Sequence, residues 1–414
     1  MSVTRSMDQR QLLVRRSKSQ LLDHRIAEGP EAAVRALLAV QAQDRSAWRL
    51  ALRARVEGIT AGDIDASLSE RRSLLVAWLN RGTLHLVCSE DYPWLLALTA
   101  PTRVAANRRR LAQEGLSPDD VDRGIACIER SLADEGPLLR AQLRERLAAK
   151  GIRTAGQATV HLLFAAVTRG VAVLGPVLPG GHAFAHARDW LDGEQRAPSA
   201  EGREHALAEL ARRYLNGHAP ATDADLAKWA GLPLRDVRIG LRSIGSELIE
   251  LEGGLLELAA RGSASGADGA TDAASEATES ESQSAAESAA EPSADRARAI
   301  RLPPRLLPAF DPCLLGWTER EPFVRRANES QVVPEGGGLF RPVATVDGVA
   351  AATWSIRRQG VRVAIRVDPF DPLDSEARTA LRAEAEDVAR FEGRTLVAIE
   401  GLETVVPDPA RSTG

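Results

Sequence analysis

A pattern of two or three short helices followed by a pair of apolar strands with a Gly-rich turn recurs along the first 261 residues, and it constrains the fold more than any other feature. This is the winged-helix pattern. In its clearest copy, "PLLRAQLRERLAAKG" and "TAGQATVHLLFAAVTRG" predict helices, and "VAVLGPVLPGGHAFAHARDWL" predicts a hairpin turning at Pro179-Gly180-Gly181. A later copy begins near Ala206. There "HAPATDADLAKWAGLPLRDVRIGLRSIG" gives two helices with Thr222 as N-cap, and "LIELEGGLLELA" gives a Gly-Gly hairpin. In the first copy, "EAAVRALLAVQAQ" reads as a helix from Glu31, and "DRSAWRLALRARV" as a second helix capped by Asp44. The strand "GTLHLVC" precedes a further helix in "SEDYPWLLALTAP".

A chain of 414 residues exceeds the usual size of one core. The expected units are 1–115, 116–200 and 201–261, then a linker over 262–298 and a β-rich domain over 299–414. The linker stretch "GSASGADGATDAASEATESESQSAAESAAEPSAD" has no aromatic residue and cannot bury enough surface to offset its ordering entropy. Beyond it, "LLPAFDPCLLGW", "GLFRPVATVDGVAAATWSIRRQGVRVAIRV" and "RTLVAIEG" suggest a small antiparallel sheet or barrel. Its turns fall at Asp347-Gly348 and Gln359-Gly360, and one helix, Ser375 to Arg390 with Asp374 or Ser375 as cap, packs on it. The expected class is α+β: three tandem winged-helix units plus a C-terminal antiparallel β-domain of barrel-like form.

No apolar run reaches the roughly 18 residues needed to span a bilayer, and the N-terminus lacks the apolar segment of a secretory signal. A cytoplasmic protein without a membrane partner is expected. Cys88, Cys127 and Cys313 are far apart and match no metal spacing, which predicts buried free thiols. The net charge is −4, yet eight acidic and no basic residues fall between Gly262 and Asp295, so the remainder of the chain is mildly basic. All but three of its 53 basic residues are arginine, which suits phosphate contacts and equally follows from a GC-rich genome.

Gln41 and Gln43, in "LLAVQAQDRSAW", sit where one helical pattern stops and another starts. In a regular helix, residues two apart point about 200° apart, so the two amides share a cavity only if the helix ends or distorts there. Otherwise one glutamine satisfies carbonyls at the helix end and the other faces water. His85, in "RGTLHLV", is either a satisfied structural histidine or a supporting residue near the site, and Arg81 and Thr83 either hold a phosphate or begin a solvated strand. His182 and His186 share one face of the second wing, and no cysteine or carboxylate completes a zinc set, so no metal is expected. Arg357 and Arg358, just before the Gln359-Gly360 turn, make either a basic tip for a DNA groove or an edge that discourages aggregation. "EGGGLF" lacks the Lys-Ser/Thr of a phosphate loop, so Gly336 to Gly338 read as a turn and no cofactor is expected.

Taken in order, "VQAQD", "RGTLHLV", "LLPAFDPCLLGW" and "GLFRPVATVDGVAAATW" resemble the winged-helix DNA glycosylases of the AlkZ/YcaQ type, over nearly the whole chain except the acidic insert. The resemblance implies three tandem winged helices and a β-domain around a concave DNA channel, excision of N7-alkylated guanine from double-stranded DNA, and a basic C-terminal hairpin set against DNA. The residues expected to face DNA are Arg81, Thr83, His85, Arg357 and Arg358, and the resemblance gives Gln41 and Gln43 the catalytic role. The crosslink-unhooking branch, linked to self-resistance against alkylating antibiotics, has Gln-x-Gln where the broader branch has Gln-x-Asp. This chain is similar to the former, with Asp44 one residue too late for the acidic slot. An N7-alkylated guanine is already cationic and a good leaving group, so neutral amides need only orient a water and stabilise an oxocarbenium-like sugar. No protein partner is implied. The rival classes are a winged-helix DNA-binding protein without chemistry, distinguished by sequence-specific affinity without base release, and a metal nuclease, disfavoured because no carboxylate cluster lies near the motif.

Overall fold

The segment "LLVAWL" (Leu74–Leu79) is apolar at every position and almost wholly buried, so it must be covered on both faces and flanked on both edges. The computed structural model describes residues 7–191, 200–259, 300–334 and 338–402. In it this segment is an inner strand of a six-stranded antiparallel sheet. The strands are β1 (Val40–Gln41), β2 (Leu74–Leu79), β3 (Thr83–Cys88), β4 (Leu138–Leu139), β5 (Ala172–Leu178) and β6 (Gly181–His186), in the order β1-β3-β2-β5-β6-β4. Val76 pairs with Leu174, so the hairpins on either side of residue 116 merge into one sheet. Trp78 seals the seam against Phe164 and Phe184, with ring centroids 5.6 and 6.3 Å away.

The helix expected from Glu31 through both glutamines is shorter than its periodicity suggests. It spans Pro30–Leu37, Leu38 turns to φ 65°, and Val40 and Gln41 leave as a strand paired with Leu86 and His85. Ladder bonds to β3 and burial of Leu38 and Val40 outweigh local helix propensity here. Asp44 does cap the next helix, Arg45–Arg53, its carboxylate accepting from the Ser46 and Ala47 N–H groups.

Helices Arg140–Ala149 and Ala158–Thr168 precede the β5–β6 hairpin, whose turn falls at Pro179-Gly180. Farther on, helices Asp223–Ala230 and Leu234–Ser243 precede a two-stranded hairpin of β7 (Leu248–Glu250) and β8 (Leu256–Leu258). Thr222 and Asp225 form a reciprocal capping box on the first of these helices. Helix Ala200–His218 crosses Leu234–Ser243 closely at Gly240, where an added Cβ would lie 2.2 Å from the Leu207 carbonyl oxygen.

The C-terminal sheet is β9 (Arg305–Leu307), β10 (Val343–Val346), β11 (Val349–Gln359), β12 (Arg362–Pro369) and β13 (Thr395–Glu400), in the order β13-β12-β11-β10-β9. Two particulars correct the antiparallel, barrel-like expectation: the sheet is open, and β13 runs parallel to β12. The cause is the helix Ser375–Phe391, capped by Asp374, which crosses over between them and buries Leu381, Val388 and Phe391. The architecture is α+β. The linker 262–298 and Gly336 and Gly337 of the glycine turn lie outside the described residues.

Buried arginines join the first helices to this sheet. Arg55 forms a two-pronged pair with Asp311, both fully buried, and Arg53 pairs with Glu384 and Asp387. Burial would raise the Glu384 carboxyl, but Arg53, Arg25, Arg305 and the Leu306 N–H together outweigh it and hold the group below its ordinary value. Among the described residues no helix is long and apolar enough to cross a membrane.

Candidate active site

The break at Leu38 places the glutamines on extended chain rather than on a helix end. Gln41 stands across the ladder from His85, and the Ala42 N–H donates to the Leu84 carbonyl at 2.7 Å, so the stretch is fastened from both sides. Gln41 is 9% exposed, whereas Gln43, in the bend that follows, is open to solvent. The Gln43 side chain makes no hydrogen bond among the described residues. One amide is thus built into the sheet edge and the other faces solvent.

Asp44 caps the next helix: its Oδ1 accepts from Ser46 N, Ser46 Oγ and Ala47 N at 2.8 to 3.0 Å. Beside this cap the loop carries two neutral amides, Gln41 and Gln43.

His85 is 2% exposed, and its Nδ1–H donates to the Thr83 carbonyl at 2.9 Å. Burial, reinforced by Arg81, lowers its pKa to about 3, so the ring is neutral. The Thr83 hydroxyl is buried and has no partner among the described residues. Arg81 is half-buried. Its Nη1 donates to the carbonyls of Trp229 at 3.0 Å and Lys228 at 3.4 Å, and its Nη2 to Gln41 Oε1 at 3.2 Å. The structure brings Arg81, His85 and Gln41 together, and it engages Arg81 with protein groups rather than leaving it free for a phosphate.

The tip of the second wing closes on the helix Arg45–Arg53. His182 meets Trp48 edge-on at 5.8 Å, and burial together with Arg45 and Arg49 lowers the pKa of its ring to about 3. His186 lies apart, near Glu129 and Asp189. A cleft of about 540 Å3 opens at the start of the Arg45–Arg53 helix, lined by Asp44, Arg45, Arg49, Arg358, Glu392 and Arg394 among others. It connects the N-terminus of the motif helix with the C-terminal sheet. Arg358 is braced by both Glu392 oxygens, at 2.9 and 3.1 Å from its Nε, while Arg357 is largely exposed with Glu400 3.7 Å away. Sequence reasoning missed Arg45, Arg49 and Arg394. The i,i+4 spacing of Arg45 and Arg49 puts them on one helix face and was the available signal.

Among the described residues, Cys88, Glu90 and Asp91 form a group with metal-ligand types close together. Glu90 is paired with Arg35 and Asp91 with Arg213, and burial raises the pKa of the Cys88 thiol to about 12. That chemistry suits a structural joint better than a cation site. All three cysteines are buried free thiols.

The family model described as "DNA glycosylase AlkZ-like" matches residues 34–391, which include the glutamine loop, both buried arginines and the C-terminal helix. A protein of Streptomyces sahachiroi named "Interstrand DNA cross-link repair glycosylase" is 24% identical over 407 residues, covering 93% of this chain and 96% of that protein. The solved structure of the Streptomyces sahachiroi DNA glycosylase AlkZ superposes with a TM-score of 0.71 at 24% identity, covering 96% of this chain and all of that one, and shows the shared fold. The chain belongs to the AlkZ-like DNA glycosylase family.

Proposed function

We propose that this enzyme hydrolyses the N-glycosidic bond of N7-alkylguanine in duplex DNA, with bulky adducts and interstrand crosslinks among its substrates. The observation that carries the reading is the amide pair at the sheet edge: Gln43 is exposed, Gln41 is fixed in the ladder, and the neighbouring Asp44 caps the following helix through its Oδ1. Such a pair offers no strong base or acid. It suits a base that is already cationic and leaves without protonation, for which a positioned water and a stabilised sugar suffice. An exposed glutamine also fits a lesion that cannot be swung fully out of the helix because it is bonded to both strands.

In this reading Gln41 and Gln43 are catalytic, His85 and Thr83 support the strand that carries Gln41, and Arg357 and Arg358 reach toward the DNA backbone from the far side of the cleft. The units proposed over 1–115, 116–200 and 201–261 line the DNA path, and the β-domain closes it. The relative named for crosslink repair favours the crosslink substrate, and we place the enzyme on the nucleoid, in self-resistance to an alkylating natural product.

The test is a duplex carrying one N7-guanine interstrand crosslink, treated with the enzyme and resolved on a denaturing gel. Separation of the strands with an abasic site on one of them is the expected result. Duplex binding without strand separation, and without base release from an N7-methylguanine duplex, overturns the reading.

A further inference from the structure

Gln41 is held in a frame that leaves its amide only one orientation. A guanidinium has five N–H donors and no acceptor, so the Gln41 atom lying 3.2 Å from Arg81 Nη2 is the carbonyl oxygen. Because the amide is planar, its NH2 faces away from Arg81. The oxygen keeps one further lone pair, but its neighbour is a cation, which weakens it as an acceptor for an attacking water. The NH2 group is the part of Gln41 best fitted to meet substrate.

Arg81 is itself held from the opposite side. Its Nη1 donates to the Trp229 and Lys228 carbonyls at the C-terminal end of the helix Asp223–Ala230, where unpaired carbonyls and the helix dipole both favour a cation. The approach is close enough that Gly231, at φ 68°, has no room for a side chain: a Cβ there would lie 3.1 Å from Arg81 Cα and nearer still to the Arg103 guanidinium. Arg103 adds a second strap, from Nε to the Asn80 carbonyl at 3.2 Å and from Nη2 to the Gly231 carbonyl at 3.1 Å. A helix more than 180 residues downstream is thereby fastened to the strand that carries the glutamine.

We infer that Arg81 is a positioning residue that fixes Gln41 as a hydrogen-bond donor to the sugar or phosphate oxygens of the lesion, leaving Gln43 to hold the attacking water. The inference rests on the glycosylase reading above. In the reaction the water oxygen bonds to C1′ and the C1′–N9 bond breaks. Its electron pair passes into the guanine ring and neutralises the N7 cation, and the water proton leaves to solvent. Gln41 donates throughout and accepts no proton.

Three variants, Gln41→Glu, Arg81→Lys and Gln41→Ala, test this under single-turnover conditions with an N7-methylguanine duplex. A carboxylate at 41 still accepts from Arg81, so Gln41→Glu is expected to fold with an undiminished Tm, yet it lacks the NH2 and its rate should fall by about 100-fold or more. If Gln41 instead activates the water, the stronger acceptor keeps or raises the rate, which overturns the inference. Arg81→Lys loses the planar fork and is expected to fall about tenfold in rate, with duplex Kd within about twofold and no further loss in the Gln41→Ala background. Losses that add in the double variant, or a weaker Kd with a shallower salt dependence, make Arg81 a structural or phosphate-binding residue and overturn it. In glutamine-labelled protein, the 15N side-chain signal of Gln41, identified by its absence in Gln41→Ala, should shift in Arg81→Lys. An unshifted signal overturns the frame even if the wild type releases no base, an outcome that by itself overturns only the glycosylase reading.

Discussion

Gln41 and His85 face each other as a residue pair across β1 and β3, so an amide of the glutamine loop rests beside a buried, neutral imidazole. Opposed side chains on one sheet face lie roughly 4.5–5.5 Å apart at Cβ, close enough for the ring to fix the strand without exchanging protons. Neither Gln41 nor Gln43 titrates, and His85 stays neutral well below physiological pH. The single-turnover rate of base release should therefore be flat from pH 6 to pH 9. A bell-shaped profile centred near the ordinary histidine pKa would place a titrating base in the mechanism and contradict the amide assignment.

Stability should follow pH where activity does not. His85 and His218 are both buried, and burial is the main reason their pKa values fall to about 3. The unfolded chain binds these protons at about pH 6.5 and the folded chain does not, so the contribution is fully present above pH 6.5 and is lost as pH falls toward 3. Each ring should destabilise the fold by about 2 kcal/mol between pH 7 and pH 5. Thermal unfolding across that range should show Tm falling, with a shallower slope in His218→Phe. An unchanged slope in that variant contradicts the burial argument.

Asp311 stands in one of the sequence segments that resemble the family, but its role is structural. It accepts from both Arg55 Nη atoms and from the Cys313 N–H, in a site closed to water. Asp311→Ala leaves a buried guanidinium unpaired and should cost about 3–5 kcal/mol of stability. Denaturant unfolding measures it. A loss below about 1 kcal/mol would mean that Arg55 finds other acceptors, or water, when the carboxylate is gone.

Arg357 and Arg358 are adjacent but should behave differently on DNA. Arg357 is 77% exposed at its side chain, while Arg358 is already neutralised by Glu392. Arg357→Ala should reduce the slope of log Kd against log salt for a duplex by about 0.9, the value for one phosphate contact. Arg358→Ala should change it less. Equal changes would show that the Glu392 pair opens on binding.

The helices around the second and third hairpins were legible because their periodicity, caps and Gly turns all agreed, as Thr222 and the Pro179-Gly180 turn illustrate. The glutamine junction was legible as a junction. Its strand was not, since "LLAVQAQ" continues an apolar helical pattern and only the pairing with β3, more than 40 residues away, draws it out. The same limit hid the parallel β13, whose direction depends on a crossover helix, and the role of Arg81, whose acceptors at Lys228 and Trp229 lie in another unit of the chain. Local sequence carries propensity and caps, while long-range contacts decide which side chains share a site.

The most direct measurement is release of the modified base from an N7-methylguanine duplex by the wild type and by a Gln41→Ala, Gln43→Ala double variant of matched Tm. The expected result is abasic product from the wild type and a loss of at least about 100-fold in the variant, with duplex affinity nearly unchanged. Equal base release by both proteins would move the chemistry away from the two glutamines and contradict their assignment.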